Sequence, residues 1–273
     1  MFPKLIELGS LTLHSYGLLL ATACLVSIAL AARLTERDGI PRERAWDLGF
    51  IIILSAIIGA KLLMVLADLS YYLSQPSRFL SWGFWQAGGV FYGGLMGAVL
   101  GSYLYLLRHR QLPFWTAADA AAPAIALGQS IGRVGCFAAG CDYGTPTDLP
   151  WAVTFTSEYA NRYVGVPINV ALHPVQLYES TATLCLFGLL LWRHSQRKFA
   201  GQIFCLYLMI YPILRFGLEF YRGDADRGFV LDGLLSTSQF IGLILFPTGV
   251  LLHLYLGRKS QDTRYKTQTS SKS

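Results

Sequence analysis

Charge is what this sequence has least of. Of its 273 residues, 53% are hydrophobic and only 14% are charged, and the mean hydropathy is +0.44. A soluble domain carries roughly 25% charged residues, so the shortfall excludes an ordinary water-soluble fold before any motif is read. A contiguous basic surface is missing too. The net charge of +6 comes from Lys and Arg that flank apolar stretches instead of forming one stripe, which excludes nucleic acid as a partner. No basic n-region precedes the first apolar run, because Lys4 is offset by Glu7, and no A-x-A site follows it. The first helix is therefore read as permanent, not as a cleaved signal, and the tetrad at 21–24, ending in Cys24, as helix interior.

Chemically ready-made sites are equally scarce. Cys136 and Cys141 form C-x4-C with no histidine at metal-ligand spacing, so no metal site is expected. The odd total of five cysteines and a helical setting weigh against a disulfide; Cys24, Cys185 and Cys205 read as buried helix residues. No Ser–His or Asp–Asp arrangement falls on facing helices, which argues against an intramembrane protease. No internal repeat with paired broken helices appears, which argues against a lipid or anion transporter.

What is abundant is apolar length. Stretches of about 20 residues, enough to cross a bilayer, recur at 16–32, 46–69, 89–107, 118–138, 174–192, 201–220 and 237–257. The expectation is an all-α polytopic membrane protein with about seven transmembrane helices and a small extracytoplasmic loop region. It would be one transmembrane domain over 1–257, with a polar, disordered cytoplasmic tail over 258–273. Lys and Arg concentrate in the segments around 33–44, 108–110, 193–198 and 258–272, whereas the alternate segments hold only Lys4, Arg78, Arg162, Arg222 and Arg227. That bias puts the N-terminus outside and the C-terminus in the cytoplasm. Glycines at 89, 93, 97 and 101 put a bare ridge on one face of the third span. There a neighbouring helix can approach closely, and near Tyr92 the space at Gly93 and Gly94 could admit a lipid.

Three polar clusters interrupt the apolar pattern at one depth, toward the outer leaflet. Gln129, Arg133 and Cys136 are spaced to share a face of the fourth span. This span is rich in Ala and poor in hydropathy, so the other helices should surround it. Tyr211, Arg215, Glu219 and Arg222 share a face of the sixth, and HPVQLYES at 173–180 opens the fifth. An arginine inside a span costs from about +2.5 to over 10 kcal/mol, so it marks a polar site. Its planar fork suits a phosphate better than lysine does. Arg133 paired with a carboxylate, or Arg215 paired with Glu219, would account for the same residues structurally. His173 is either a proton carrier or a hydrogen-bonding spacer.

Six motifs occur in order: HSYGLLL (14–20), GGVFYGGLMG (88–97), GRVGCFAAGCDYG (132–144), HPVQLYES, RFGLEFYRGD (215–224) and STSQ (236–239). On these the chain resembles the prolipoprotein diacylglyceryl transferases over almost its full length. The resemblance implies a bacterial cytoplasmic (inner) membrane enzyme whose active site faces the outer leaflet. Such an enzyme moves the diacylglyceryl group of phosphatidylglycerol onto the lipobox cysteine of a prolipoprotein signal peptide, without cofactor. It implies catalytic roles for Arg133, Arg215, Tyr92 and Glu219. Substrate contacts are expected from Tyr16, Gly93, Gly94, Gln129, Cys136, Gly144, His173, Gln176, Tyr178, Glu179 and Arg222. The loop at 142–173, with Trp151, Phe155, Tyr159 and Tyr163, would lie outside and receive the peptide. Two positions depart from the family: Cys136 stands where Asn is common and Cys141 where Glu is common, which removes an amide and a carboxylate. A relative serving another acceptor is the competing reading. Neither cysteine is expected to be a nucleophile.

Overall fold

In the computed structural model, residues 3–8, 11–81, 83–84, 89–109, 112–224 and 228–270 are described; Gly88, Arg110, Arg227 and Lys272 lie outside them. Helices dominate: α1 (Ser15–Arg37), α2 (Arg42–Ala67), α3 (Leu69–Ser74), α4 (Phe91–Arg108), α5 (Phe114–Ala139), α6 (Glu158–Val164), α7 (Val175–His194), α8 (Gln202–Leu218) and α9 (Thr237–Ser270). Among the described residues, α1, α2, α7, α8 and α9 are long and apolar enough to cross a membrane. Of the seven expected spans, α4 and α5 stand apart, one because glycine replaces larger apolar residues and the other because it carries Asp119 and Arg133. Among the described residues, three short antiparallel strand pairs accompany the helices: β1 (Lys4–Leu8) with β2 (Leu11–His14), β3 (Val153–Thr154) with β4 (Ala171–Leu172), and β5 (Phe229–Val230) with β6 (Leu235–Ser236). None was expected from the apolar pattern.

The chain groups into two compact units, 32–117 and the remainder. In unit 32–117 the core is a contact between α2 and α4. A Cβ on Gly59, Gly93 or Gly97 would collide with the backbone of the facing helix, and one on Gly101 with Ser55. Gly94 lies against Ala56 and Ala60 at ordinary contact distance. The glycine ridge therefore lets two backbones touch, and α2 occupies the space at Gly93 and Gly94 that seemed open to lipid. Lys61 donates to the Phe84 carbonyl at 2.5 Å and lies over that ring, which keeps its charge partnered. Leu54, Ile57, Ile58, Leu62 and Leu66 of α2 are exposed, as side chains facing hydrocarbon would be.

The other unit is built around α5. Ala120, Ala122, Ala124 and Ala126 are buried, and Ala122 and Ala126 pack with Leu186 and Leu190 of α7 and Ile203 and Tyr207 of α8. The alanine-rich helix is thus enclosed by its neighbours, as its polarity demanded. Ser130 and Ser180 tie α5 to α7 by reciprocal bonds, each hydroxyl donating to the other's carbonyl at 2.9 Å. Asp119, fully buried, accepts from the backbone N–H groups of Gly201 (2.8 Å), Ile203 (2.8 Å) and Phe204 (3.0 Å). Its carboxylate satisfies donors that α8's first turn would otherwise leave orphaned, and it complements the positive end of the helix dipole. α8 and α9 approach closely where Gly242 meets Pro212 and Gly249 meets Leu208 and Met209. α9 runs on to Ser270, through the polar, basic stretch that follows Arg258.

The connection between α5 and α7 is a small folded layer. Phe155, Ala160, Val166 and Leu172 form its core, with Phe137 and Tyr143 packed against them. Ser157 caps α6 by accepting from Ala160 N–H at 3.3 Å, and Gly165 ends it at φ +77°, a conformation that suits glycine. Phe155 is therefore a core residue and not an interfacial one. Trp151 and Tyr163 remain exposed.

Candidate active site

Three helices and one turn converge on a charged cluster. α5 carries Gln129, Arg133 and Cys136 on one face, α7 contributes Gln176 and Glu179, and α8 contributes Tyr207, Tyr211 and Arg215. The expected stripe from Tyr211 to Arg222 is not one continuous helix. α8 gives way to a 3₁₀ turn at Glu219–Tyr221, and Arg222 is extended, its backbone bridged to Gly144. That bridge needs glycine: a Cβ on Gly144 would run into His173 and Val175. Thr145 N–H bonds to the Tyr221 carbonyl at 2.9 Å and His173 N–H to the Thr145 carbonyl at 3.0 Å. The family-like motifs at 132–144, 173–180 and 215–224 are thereby stitched together by backbone.

Arginines and carboxylates alternate through the cluster. Arg133 pairs through Nε with Glu179 Oε2 at 3.0 Å and through Nη1 with Asp142 Oδ2. The other Asp142 oxygen accepts from Arg222 Nη2 at 2.7 Å, and Arg222 also grips Asp224 through Nε and Nη2 at 2.8 and 2.5 Å. Arg215 Nη1 lies 2.6 Å from Glu219 Oε2, which also accepts from Ser238 Oγ at 3.0 Å. The pairings entertained from sequence, Arg133 with a carboxylate and Arg215 with Glu219, are both present. Even so, donor capacity remains: Arg215 Nη1 is buried and ion-paired but makes no aligned hydrogen bond. Tyr211 Oη donates to Glu179 Oε1 at 3.4 Å and stacks on Tyr207, whose hydroxyl donates to Gln129 Oε1 at 3.1 Å. Gln176 Nε2 donates to the Cys141 carbonyl at 2.7 Å, fixing the loop that carries Asp142.

Beside this cluster lies an aromatic group. Trp151 Nε1 donates to Tyr178 Oη at 2.7 Å, His173 Nδ1 is 3.3 Å from the same hydroxyl, and the His173 ring sits 5.2 Å from that of Tyr221. Trp151 and Tyr221 are exposed, so this group offers a surface of half-polar aromatics, the type that sits at membrane interfaces. His173 here partners Tyr178 directly.

Cys136 and Cys141 are both free thiols, and their sulfurs and an Asp142 oxygen lie within 4.8 Å of one another. Three such ligands could suit a soft cation, but both Asp142 oxygens are held by guanidinium groups and Arg133 Nη1 is 3.9 Å from Cys136 Sγ. Fixed positive charge at that spot opposes a divalent ion. Burial by itself would raise the Asp142 carboxyl, but Arg133 and Arg222 override it and hold the group below the usual carboxylate range. The Cys141 thiol is pushed up by its hydrogen bonding with Cys136 and by burial, which disfavours the nucleophilic thiolate.

The sequence model of the family described as prolipoprotein diacylglyceryl transferase matches residues 3–255. The chain belongs to this family. Among its relatives, the phosphatidylglycerol–prolipoprotein diacylglyceryl transferase of Clostridium tetani is 35% identical over 253 residues, covering 92% of this chain and 96% of that protein. The protein of the same name from Synechococcus elongatus is 34% identical, covering 91% and 85%. That from Parasynechococcus marenigrum is 35% identical, covering 97% of each.

Within this diacylglyceryl transferase, the structure brings most of the expected site residues into one unit. Arg133, Arg215, Glu219, Gln129, Cys136, Gly144, His173, Gln176, Tyr178, Glu179 and Arg222 all belong to the cluster or its aromatic flank. Tyr16, in the first turn of α1, packs beside Gly135. Tyr92, exposed at the start of α4, and Gly93 and Gly94 belong to the unit 32–117. Three members were missed from sequence: Asp142, Asp224 and Ser238. Asp142 had a signal, being the carboxylate next to Cys141, and it restores the charge whose loss at Cys141 seemed to deprive the site. Asp224 and Ser238 sat inside quoted motifs but carried no spacing cue.

Proposed function

We propose that this chain transfers the diacylglyceryl group of phosphatidylglycerol to the lipobox cysteine thiol of a prolipoprotein signal peptide. The observation that carries this reading is a cluster of three arginines, Arg133, Arg215 and Arg222, closed off by protein in a chain of membrane-spanning helices. Such forks bind a phosphodiester and stabilise the charge that grows on it as the bond to the diacylglyceryl carbon breaks. The substrate sulfur forms a C–S bond to that carbon. Glycerol phosphate departs with the electrons of the broken C–O bond, and the thiol proton is lost to the released phosphate or to water. Arg133, Arg215 and Arg222 hold the phosphate, and Glu219 orients Arg215. Gln129, Gln176 and Glu179 brace the pocket with Cys136 as a small wall, while Tyr16, Tyr178, His173 and Gly144 line the approach of substrates. No metal or cofactor enters the scheme.

The charge bias of the connecting segments supports an N-terminus outside, a C-terminus in the cytoplasm and a site opening to the outer leaflet of the bacterial cytoplasmic membrane. The folded layer at 142–173, with Trp151 and Tyr163 exposed, is suited to receive the signal peptide at the bilayer surface. Purified protein mixed with phosphatidylglycerol and a lipobox peptide should yield a thioether-linked diacylglyceryl peptide by mass spectrometry. Release of glycerol phosphate without peptide modification would point to another acceptor, and no turnover at all would sink the proposal.

A further inference from the structure

Asp142 is the odd member of the charged cluster. Its two carboxylate oxygens are divided between two guanidinium groups, Oδ2 to Arg133 and Oδ1 to Arg222. That is the contact set one phosphate would make with the same two forks. The other carboxylates in the network are anchored by their surroundings: Glu179 is 3% exposed on α7, and Glu219 is 3% exposed and also receives Ser238. Asp142 is 32% exposed. It sits on the loop that follows α5 and adopts φ +56°, a left-handed conformation that a non-glycine residue holds at a cost. The most accessible anion of the cluster is therefore also the one on the most strained backbone, and it bridges the two arginines.

We propose that the Asp142 carboxylate is an internal counter-ion that holds the phosphate position between Arg133 and Arg222 and is displaced when the anionic headgroup of the donor lipid enters. This rests on the proposed lipid-donor function and adds the exchange of one anion for another. Glu179 and Asp224 hold the other sides of the two guanidinium groups, so the exchange keeps the faces that meet at Asp142 compensated before substrate arrives, where desolvation makes an uncompensated charge costly. It also relieves the left-handed backbone at Asp142, which offsets part of the cost of breaking the pairs. Displacement leaves the carboxylate beside Cys136 and Cys141 at the edge of the pocket. Asp142 is thus a positioning residue, since it sets the two forks through which the arginines act.

The test uses full-length protein in phosphatidylcholine nanodiscs, titrated with glycerol phosphate, comparing wild type with Asp142→Asn. Removing a resident negative charge should tighten glycerol phosphate binding about tenfold and lower KM for phosphatidylglycerol, while binding of neutral diacylglycerol stays unchanged. A folded Asp142→Asn protein that binds glycerol phosphate no better than wild type, or worse, overturns the proposal. Should that variant not fold, hydrogen exchange on wild type decides. Residues 140–145 should exchange faster in discs containing phosphatidylglycerol than in discs of phosphatidylcholine alone, and slower or unchanged exchange overturns it. A wild type that neither binds phosphatidylglycerol nor forms product refutes the function itself. A wild type that does both, with no tightening in the variant, refutes only the role of Asp142.

Discussion

The two units of this chain hold polar and apolar helices by opposite means. In unit 32–117, α2 and α4 touch backbone to backbone through Gly59, Gly93, Gly97 and Gly101, a contact made of dispersion and shape with little charge in it. In the other unit, α5, α7 and α8 are joined at one end by Arg133, Glu179, Arg215 and Glu219, with Asp142 and Arg222 closing the loop side. Hydrocarbon offers no hydrophobic drive between helices, so a membrane protein must use close packing or polar pairing. Packing is cheap and chemically silent. Buried charge is expensive, and the chain gathers it where the donor phosphate is proposed to bind.

The comparison breaks first at Arg133. Arg133→Ala should cut turnover by about 10²–10³-fold, and it should also cost about 3–5 kcal/mol of stability, because Glu179 is left buried and unpaired. Pairing it with Glu179→Gln separates the two effects: the melting temperature should recover and the activity should not. Recovery of activity in the double variant would make Arg133 a structural brace only. Arg133→Lys should remain badly impaired, since a point charge cannot span Glu179 and Asp142 as the fork does.

Asp119→Ala comes next. Three backbone donors at the start of α8 would lose their acceptor, at a cost of about 2–4 kcal/mol. Turnover per folded molecule should be unchanged, because Asp119 lies at the opposite end of α5 from Arg133; a drop in turnover at native stability would contradict that separation. In the glycine unit, Gly97→Leu should destabilise by about 1–3 kcal/mol through overpacking, while Gly94→Ala, with only ordinary contacts around its Cβ, should lie within about 0.5 kcal/mol of wild type. Equal effects at both positions in thermal melts would show that close approach does not hold α2 to α4.

Smaller effects sharpen the charged side. The double change Cys136→Ser, Cys141→Ser should keep most of its activity, and a diacylglyceryl adduct trapped on either cysteine would overturn that. Asp142 has a folded pKa below its unfolded value of about 3.9. Its contribution to stability is therefore complete above about pH 4 and is lost only as the pH falls through the lower, folded value. Asp142→Asn should therefore be less stable than wild type above about pH 4, and the two acid melts should converge as the pH falls through the folded value.

Much of this was legible in the sequence. Apolar length located α1, α2, α7 and α8, and helical spacing put Gln129, Arg133 and Cys136 on one face. The glycine ridge marks a face of close approach, but at Gly93 and Gly94 nothing in a single chain says which helix will fill the space. Partners across the fold were the blind spot. Asp119 looks like an interruption of an apolar helix until the N-terminus of α8 is placed against it. Asp142 looks like loop until Arg133 of its own motif and Arg222 of a distant one meet on its carboxylate. The 3₁₀ turn at 219–221 was invisible because helical periodicity continues through it.

The central claim is that the paired arginines bind the donor phosphate. It is tested most directly by product formation from phosphatidylglycerol and a lipobox peptide, measured for wild type and for Arg133→Ala/Glu179→Gln at matched folded fraction. The account predicts thioether product from wild type and at least about a hundredfold less from the double variant. Equal product from both would contradict it.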